Sequence, residues 1–205
     1  MKSNKTLDVT LQESRDLHSW IFINLEQVRP SKVGSLRLAI PAFDLVLDYF
    51  TGITCSIEMR AHGSAFALVR PLFETFVRAV WLKNVATDQG LADFEQDKLS
   101  IKFGEMLLQI EQLESFQHGA LSDLKRQAWA AMNGYAHGGI HQIGRRVKGN
   151  AIDSNYADSE IIEVLRLGQM FALMSFIEIV QASEKKDLAK LATQKLFELE
   201  LFERG

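Results

Sequence analysis

The run Phe66-Ala-Leu-Val-Arg70-Pro-Leu-Phe-Glu74-Thr-Phe-Val-Arg78-Ala-Val-Trp-Leu82 decides the fold. Its charged residues recur every four positions, so Arg70, Glu74 and Arg78 share one face of a helix, and every other position except Pro71 and Thr75 is apolar or small. A helix apolar around most of its girth is enclosed by other helices, and the ladder is then the polar strip of a buried rod. The preceding segment, Ser31 to Ala61, has the same character: Arg37, Asp44, Asp48, Thr51, Cys55 and Glu58 fall in one narrow stripe. Ser31 is expected to cap it after Arg29-Pro30, and Pro41 to kink it. His62-Gly63-Ser64 reads as the break between the two helices.

Further out, periodicity predicts a first helix over 10–28, a fourth over 88–114, a turn over 115–119 and a fifth helix over 120–132. The segment 133–141 reads equally as a loop or as a distorted helix start. Residues 145–150 read as a basic linker, 157–182 as a sixth helix and 184–202 as a seventh. No segment alternates as a strand does, and no internal repeat is visible. The expectation is an all-α, single-domain, up-and-down bundle of about six or seven helices spanning 1–205. Its core covers 31–182, with terminal helices 10–28 and 184–202 packing on it or on a second copy.

Composition agrees with long helices. The 205 residues are 47% hydrophobic and 24% charged, with only three prolines and thirteen glycines and with 13 Phe against 3 Tyr. A net charge of −3 supplies no global field for nucleic acid or anionic lipid. Cys55 has no partner for a disulfide, and the polar first ten residues lack an export signal, so the expected location is cytoplasmic. The apolar stretches Leu36–Phe50 and Ile161–Val180 are interrupted by Asp44 and Asp48 and by Glu163, Arg166, Gln169 and Glu178, so no membrane crossing is expected.

Two features can carry chemistry. The ladder Arg70–Glu74–Arg78 is either a satisfied strip, with Asp44 and Asp48 as counter-ions of Arg70 and Arg78, or a receptor for a carboxylate or phosphate, which a guanidinium fork suits. The segment Asn133-Gly-Tyr-Ala-His137-Gly-Gly-Ile-His141 places two histidines four apart, either a proton-transfer site or a surface turn with a basic tail. A metal would need a third ligand, such as Glu74, and Gly134, Gly138 and Gly139 weaken the helix that would align the pair.

The run Ser64–Glu74 together with Tyr135-Ala-His137-Gly-Gly139 resembles a set of bacterial all-helical proteins similar to the HEPN superfamily of helical ribonucleases and nucleic-acid-associated toxins. The resemblance covers 31–182. It implies a metal-independent ribonuclease of toxin or defence type, or an RNA- or phosphate-binding relative, without cofactor and usually homodimeric, with the motif Arg, four to six residues, His at the dimer cleft. His137 matches the catalytic histidine and Asn133 the polar residue after the arginine. The arginine position itself falls on Met132, preceded by Ala130 and Ala131, so the phosphate contact would have to come from Arg70 or Arg78, with His141 beside it. Two other readings stand beside this one: a non-catalytic dimeric helical protein acting through protein contacts, and a metal hydrolase using His137, His141 and Glu74.

Overall fold

The computed structural model describes residues 6–183 and 185–199. Among them the chain forms nine α-helices: α1 (Leu7–Leu25), α2 (Leu36–Glu58), α3 (His62–Asn84), α4 (Asp88–Glu95), α5 (Phe103–Ile110), α6 (Ala120–Ala136), α7 (Ile140–Ile143), α8 (Asp158–Gln181) and α9 (Lys186–Glu198). The fold is all-helical, as the sequence predicts.

The centre is made by α2, α3 and α8, each packed on the other two. Phe43, Phe50, Phe73, Phe76, Phe171 and Phe176 are fully buried there. The Phe76 ring lies 4.8 Å from Phe171 and 6.1 Å from Phe43, so three helices meet on one aromatic cluster. Close approach has a local cause at two glycines. A Cβ on Gly52 would lie 2.9 Å from Leu68 Cδ1, and one on Gly168 would lie 3.0 Å from Phe50 Cδ2. By length and composition α2 would suffice to cross a bilayer, its best 18-residue window averaging a hydropathy of 1.4. Nine of its apolar and small residues are instead buried against its neighbours, the pattern of a core helix. Its polar stripe, Arg37, Asp44, Asp48, Cys55 and Glu58, is exposed.

Helix ends follow from capping groups. Thr6 Oγ1 accepts from Val9 N–H at 3.4 Å, which starts α1 ahead of the expected position 10. Ser31 does not cap α2: its N–H donates to Ala182 O at 3.0 Å, and the helix begins only at Leu36. His62-Gly63-Ser64 lies inside α3, because the chain turns earlier, at Arg60, whose φ is 59°. The long fourth helix expected over 88–114 is two short ones. Asp97 adopts φ 55°, Lys98 N–H returns to Asp93 O at 2.8 Å, and a new helix starts at Phe103, where Glu105 accepts from Lys102 N–H. The linker expected over 145–150 includes a small antiparallel hairpin, Val147–Lys148 (β1) with Ala151–Ile152 (β2), turned by Gly149 at φ 61°. Expected ends at 184 and 202 lie outside the described residues, which show α9 over Lys186–Glu198.

The outer helices are tied on by polar groups. Gln169 of α8 donates to Ser14 Oγ of α1 at 2.8 Å in a buried seam, while within the centre Lys83 of α3 pairs with Glu178 of α8. Arg37 of α2 holds Glu95 of α4 through two hydrogen bonds of 3.0 and 2.9 Å.

Candidate functional site

α6 packs on α3, and each helix brings a row of residues four apart. On α3 the row is Arg70, Glu74 and Arg78; on α6 it is Lys125, Trp129 and Asn133, continued by His137 at the helix cap. Arg70 sits where the rows meet. Its Nε donates to Glu74 Oε1 at 2.9 Å, its Nη1 donates to His137 Nε2 at 2.7 Å, and its Cζ lies over the Trp129 ring, 5.0 Å from the centroid.

That geometry fixes a chemical state. A guanidinium has donors only, so in this hydrogen bond His137 Nε2 is the acceptor, and the contact requires the tautomer with the ring proton on Nδ1. Among the described residues Arg70 Nη2 has no hydrogen-bond partner, which leaves donors for an oxoanion beside the His137 ring. The Arg70 and Glu74 side chains are 22% and 25% exposed, dry enough to strengthen charge interactions and open enough to be reached.

The backbone explains how His137 arrives there. α6 continues through Ala136, so the segment 133–141, read as a loop or a distorted helix start, is the end of one helix, its cap and the start of α7. His137 N–H donates to Asn133 O at 3.1 Å, Gly138 takes φ 62°, and Gly139 N–H closes onto Gly134 O at 2.8 Å. Glycine takes the left-handed position at 138 without the backbone strain that a side chain would bring there.

Trp129 and Lys125 were not singled out by sequence reasoning, although their four-residue spacing to Asn133 and His137 was available as a signal. Trp129 stacks on Phe103 at 4.9 Å with 15° between the planes, and Phe103 meets the buried Phe73 edge-on at 5.5 Å. The guanidinium therefore rests on an aromatic column rooted in the core. Lys125 Nζ lies 5.7 Å from the Trp129 centroid and 5.8 Å from that of Phe103, a second cation on the same column.

Other expected members are not brought together with Arg70. Asp44 and Asp48 are not counter-ions of Arg70 or Arg78: α2 meets α3 with its apolar side and turns both carboxylates outward. Partial desolvation, and then the charge of Asp48, hold the Asp44 carboxyl above the usual carboxylate range. Arg78 is half-buried and, among the described residues, makes no ion pair or hydrogen bond. Asn133 Oδ1 is buried and also without a partner among them. His141 packs over Gly134, where a Cβ would lie 3.0 Å from its Cδ2. Among the described residues no group of three or more His, Cys, Asp or Glu is gathered for a metal ion, so His137, His141 and Glu74 do not form a ligand set.

A second constellation props the loop after His137. Arg145 donates to both carboxylate oxygens of Glu160 at 2.6 Å and lies over Tyr156 and Tyr135, 5.0 and 5.7 Å from their centroids. That hydrogen-bonded pairing holds Glu160 below the usual carboxylate range. Tyr156 donates to Gln142 Oε1, Gln142 Nε2 donates to Gly63 O at 2.6 Å, and His62 Nδ1 is hydrogen-bonded to Ser154 Oγ at 3.0 Å. Burial, and then the charge of Arg60, push the His62 imidazole below its ordinary value.

Residues 43–199 match a family of unknown function, DUF6988, and the chain belongs to that family. No curated protein and no solved structure matches it. The matched span includes Arg70, Glu74, Trp129 and His137.

Proposed function

We propose that this DUF6988 chain binds a phosphate-bearing ligand, RNA in particular, at Arg70, and that His137 is its proton-transfer group in an HEPN-like, metal-independent cleavage. The observation that carries the reading is the 2.7 Å contact between Arg70 Nη1 and His137 Nε2, contributed by two helices and 67 residues apart. An arginine from α3 thereby stands beside the histidine in place of the one missing at Met132. In the reaction a phosphoryl oxygen draws Arg70 Nη1 away from Nε2, and the 2′-hydroxyl then gives its proton to the lone pair so freed while its oxygen attacks phosphorus. The P–O5′ bond breaks, the 5′-oxygen leaves with a proton from water, and the hydroxide so formed takes the proton back from Nε2, giving a 2′,3′-cyclic phosphate and the starting histidine. Arg70 stabilises the charge gathering on the phosphoryl oxygens.

The test is cleavage of a labelled RNA in the presence of EDTA. His137→Ala is expected to lower the rate by about 10²–10⁴-fold and Arg70→Gln by about 10²–10³-fold, with a cyclic-phosphate end on the product. Wild-type protein that neither cuts nor retains RNA at low salt would remove the reading.

A second reading, a non-catalytic protein whose partner is another chain, including a second copy of this one, is favoured by a separate observation. Ile140, Ile143, Val147 and Ile152 around α7 and the hairpin are 76%, 62%, 53% and 88% exposed. Sedimentation of wild type beside Ile152→Lys tests self-association through that face: a dimer that the substitution dissociates supports it, and a wild-type monomer at high concentration ends the dimeric version.

A further inference from the structure

We infer that Trp129 is a positioning residue that fixes the Arg70 guanidinium, and through it the proton on His137, so that the free Nη donors meet an oxoanion. The inference rests on the reading of Arg70 as the anion receptor. Glu74 alone cannot orient the group, because a single hydrogen bond to Nε at 2.9 Å leaves the guanidinium free to turn about the bonds of its long side chain. The indole supplies the missing constraint. Its ring covers one side of the guanidinium at 5.0 Å and cannot slide, being stacked on Phe103, which abuts the fully buried Phe73. With Nε held by Glu74 and one side covered by the ring, the remaining donors are reached from the edge that also touches His137.

Lys125 points the same way. Two cations share one indole at 5.0 and 5.7 Å, and only Arg70 has a carboxylate beside it among the described residues. Like charges on one ring repel, and an oxoanion arriving between them relieves that cost. The tautomer follows from the same placement: while Arg70 donates to Nε2 the proton of His137 stays on Nδ1, so Nε2 is unprotonated and its lone pair is freed for a base when an oxoanion draws Nη1 away.

The experiment joins binding to a spectroscopic signature. Binding of a fluorescein-labelled, 2′-fluoro-substituted RNA is measured by anisotropy, and the His137 tautomer by NMR of ¹⁵N-histidine-labelled protein at mildly alkaline pH. Wild type is expected to show Nδ1–H with unprotonated Nε2. Trp129→Phe, which keeps an aromatic face, retains both the tautomer and the affinity. Trp129→Leu loses the single tautomer and binds roughly threefold to fivefold more weakly. A wild-type His137 protonated on Nε2 overturns the inference without any variant, as does a Trp129→Leu protein that binds RNA like wild type. Arg70→Gln separates the two levels. Binding unchanged in Arg70→Gln removes the receptor and the inference together; binding lost in Arg70→Gln but kept in Trp129→Leu removes the positioning role alone.

Discussion

Glu74 stands at the site in a double role, since the carboxylate that holds Arg70 in place also repels any incoming anion. Glu74→Gln separates the two. The amide oxygen still accepts from Nε, while the negative charge is gone, so anion binding at low salt is expected to tighten by roughly threefold to tenfold. Glu74→Ala removes the acceptor as well and is expected to weaken binding. Isothermal titration with the same non-cleavable RNA distinguishes them, and equal affinities for the two variants would show that Glu74 does not orient Arg70. Arg70, Glu74 and Arg78 were legible as one strip because their spacing is local. The partner of Arg70 was not, because a contact across 67 residues leaves no mark in spacing.

Between α6 and α8, the loop carrying α7 and the hairpin owes its order to a few side chains rather than to a core. Two of them titrate in acid. His62 has a folded value below its ordinary 6.5, so its contribution is complete above about that pH and is lost as pH falls through the lowered value. Glu160 lies below its ordinary 4.5, so its contribution is held above that pH and is lost, also on acidification, through its own lowered value. Hydrogen exchange of 140–156 is therefore expected to accelerate in two steps as pH falls, the first below 6.5 and the second below 4.5. His62→Gln abolishes the first step; if its exchange keeps the wild-type pH profile, the His62–Ser154 tether plays no part in holding the loop. At the other end of this element Gly134 accommodates the ring of His141. Gly134→Ala brings a Cβ to 3.0 Å of Cδ2 and is expected to displace α7, and with it to lower the RNA cleavage proposed above, with little change in overall helicity.

For the whole molecule, stability is concentrated where α2, α3 and α8 meet. Phe76 is fully buried between Phe43 and Phe171, and its truncation to Ala leaves a cavity costing about 3–5 kcal/mol. In a chain of this size that corresponds to a fall in Tm of roughly 6–20 °C. Gly168→Ala acts from the opposite side, by overpacking: the added methyl meets Phe50, itself 1% exposed and unable to swing clear, at about 1–3 kcal/mol. Thermal unfolding followed by circular dichroism checks both, and a Gly168→Ala protein as stable as wild type would show that α2 and α8 can part without penalty.

By itself the sequence determined the helical class, the enclosed character of α2 and α3 and the polar strip on α3, because each depends on periodicity within one segment and on the burial that an apolar circumference demands. It also made α2 a core helix with one narrow polar stripe. Only the tertiary structure decided what the strip faces. Spacing was as compatible with Asp44 and Asp48 beside Arg70 and Arg78 as with His137; the packing of α2 by its apolar side sent those carboxylates to solvent, and the glycine cap of α6 brought His137 to Arg70. The break of the expected fourth helix at Asp97 and the clamped loop of Arg145 and Glu160 were hidden for the same reason. A left-handed residue and a bidentate pair are stabilised by contacts made after the helices assemble, and those contacts, unlike helical periodicity, are not written in the order of neighbouring residues.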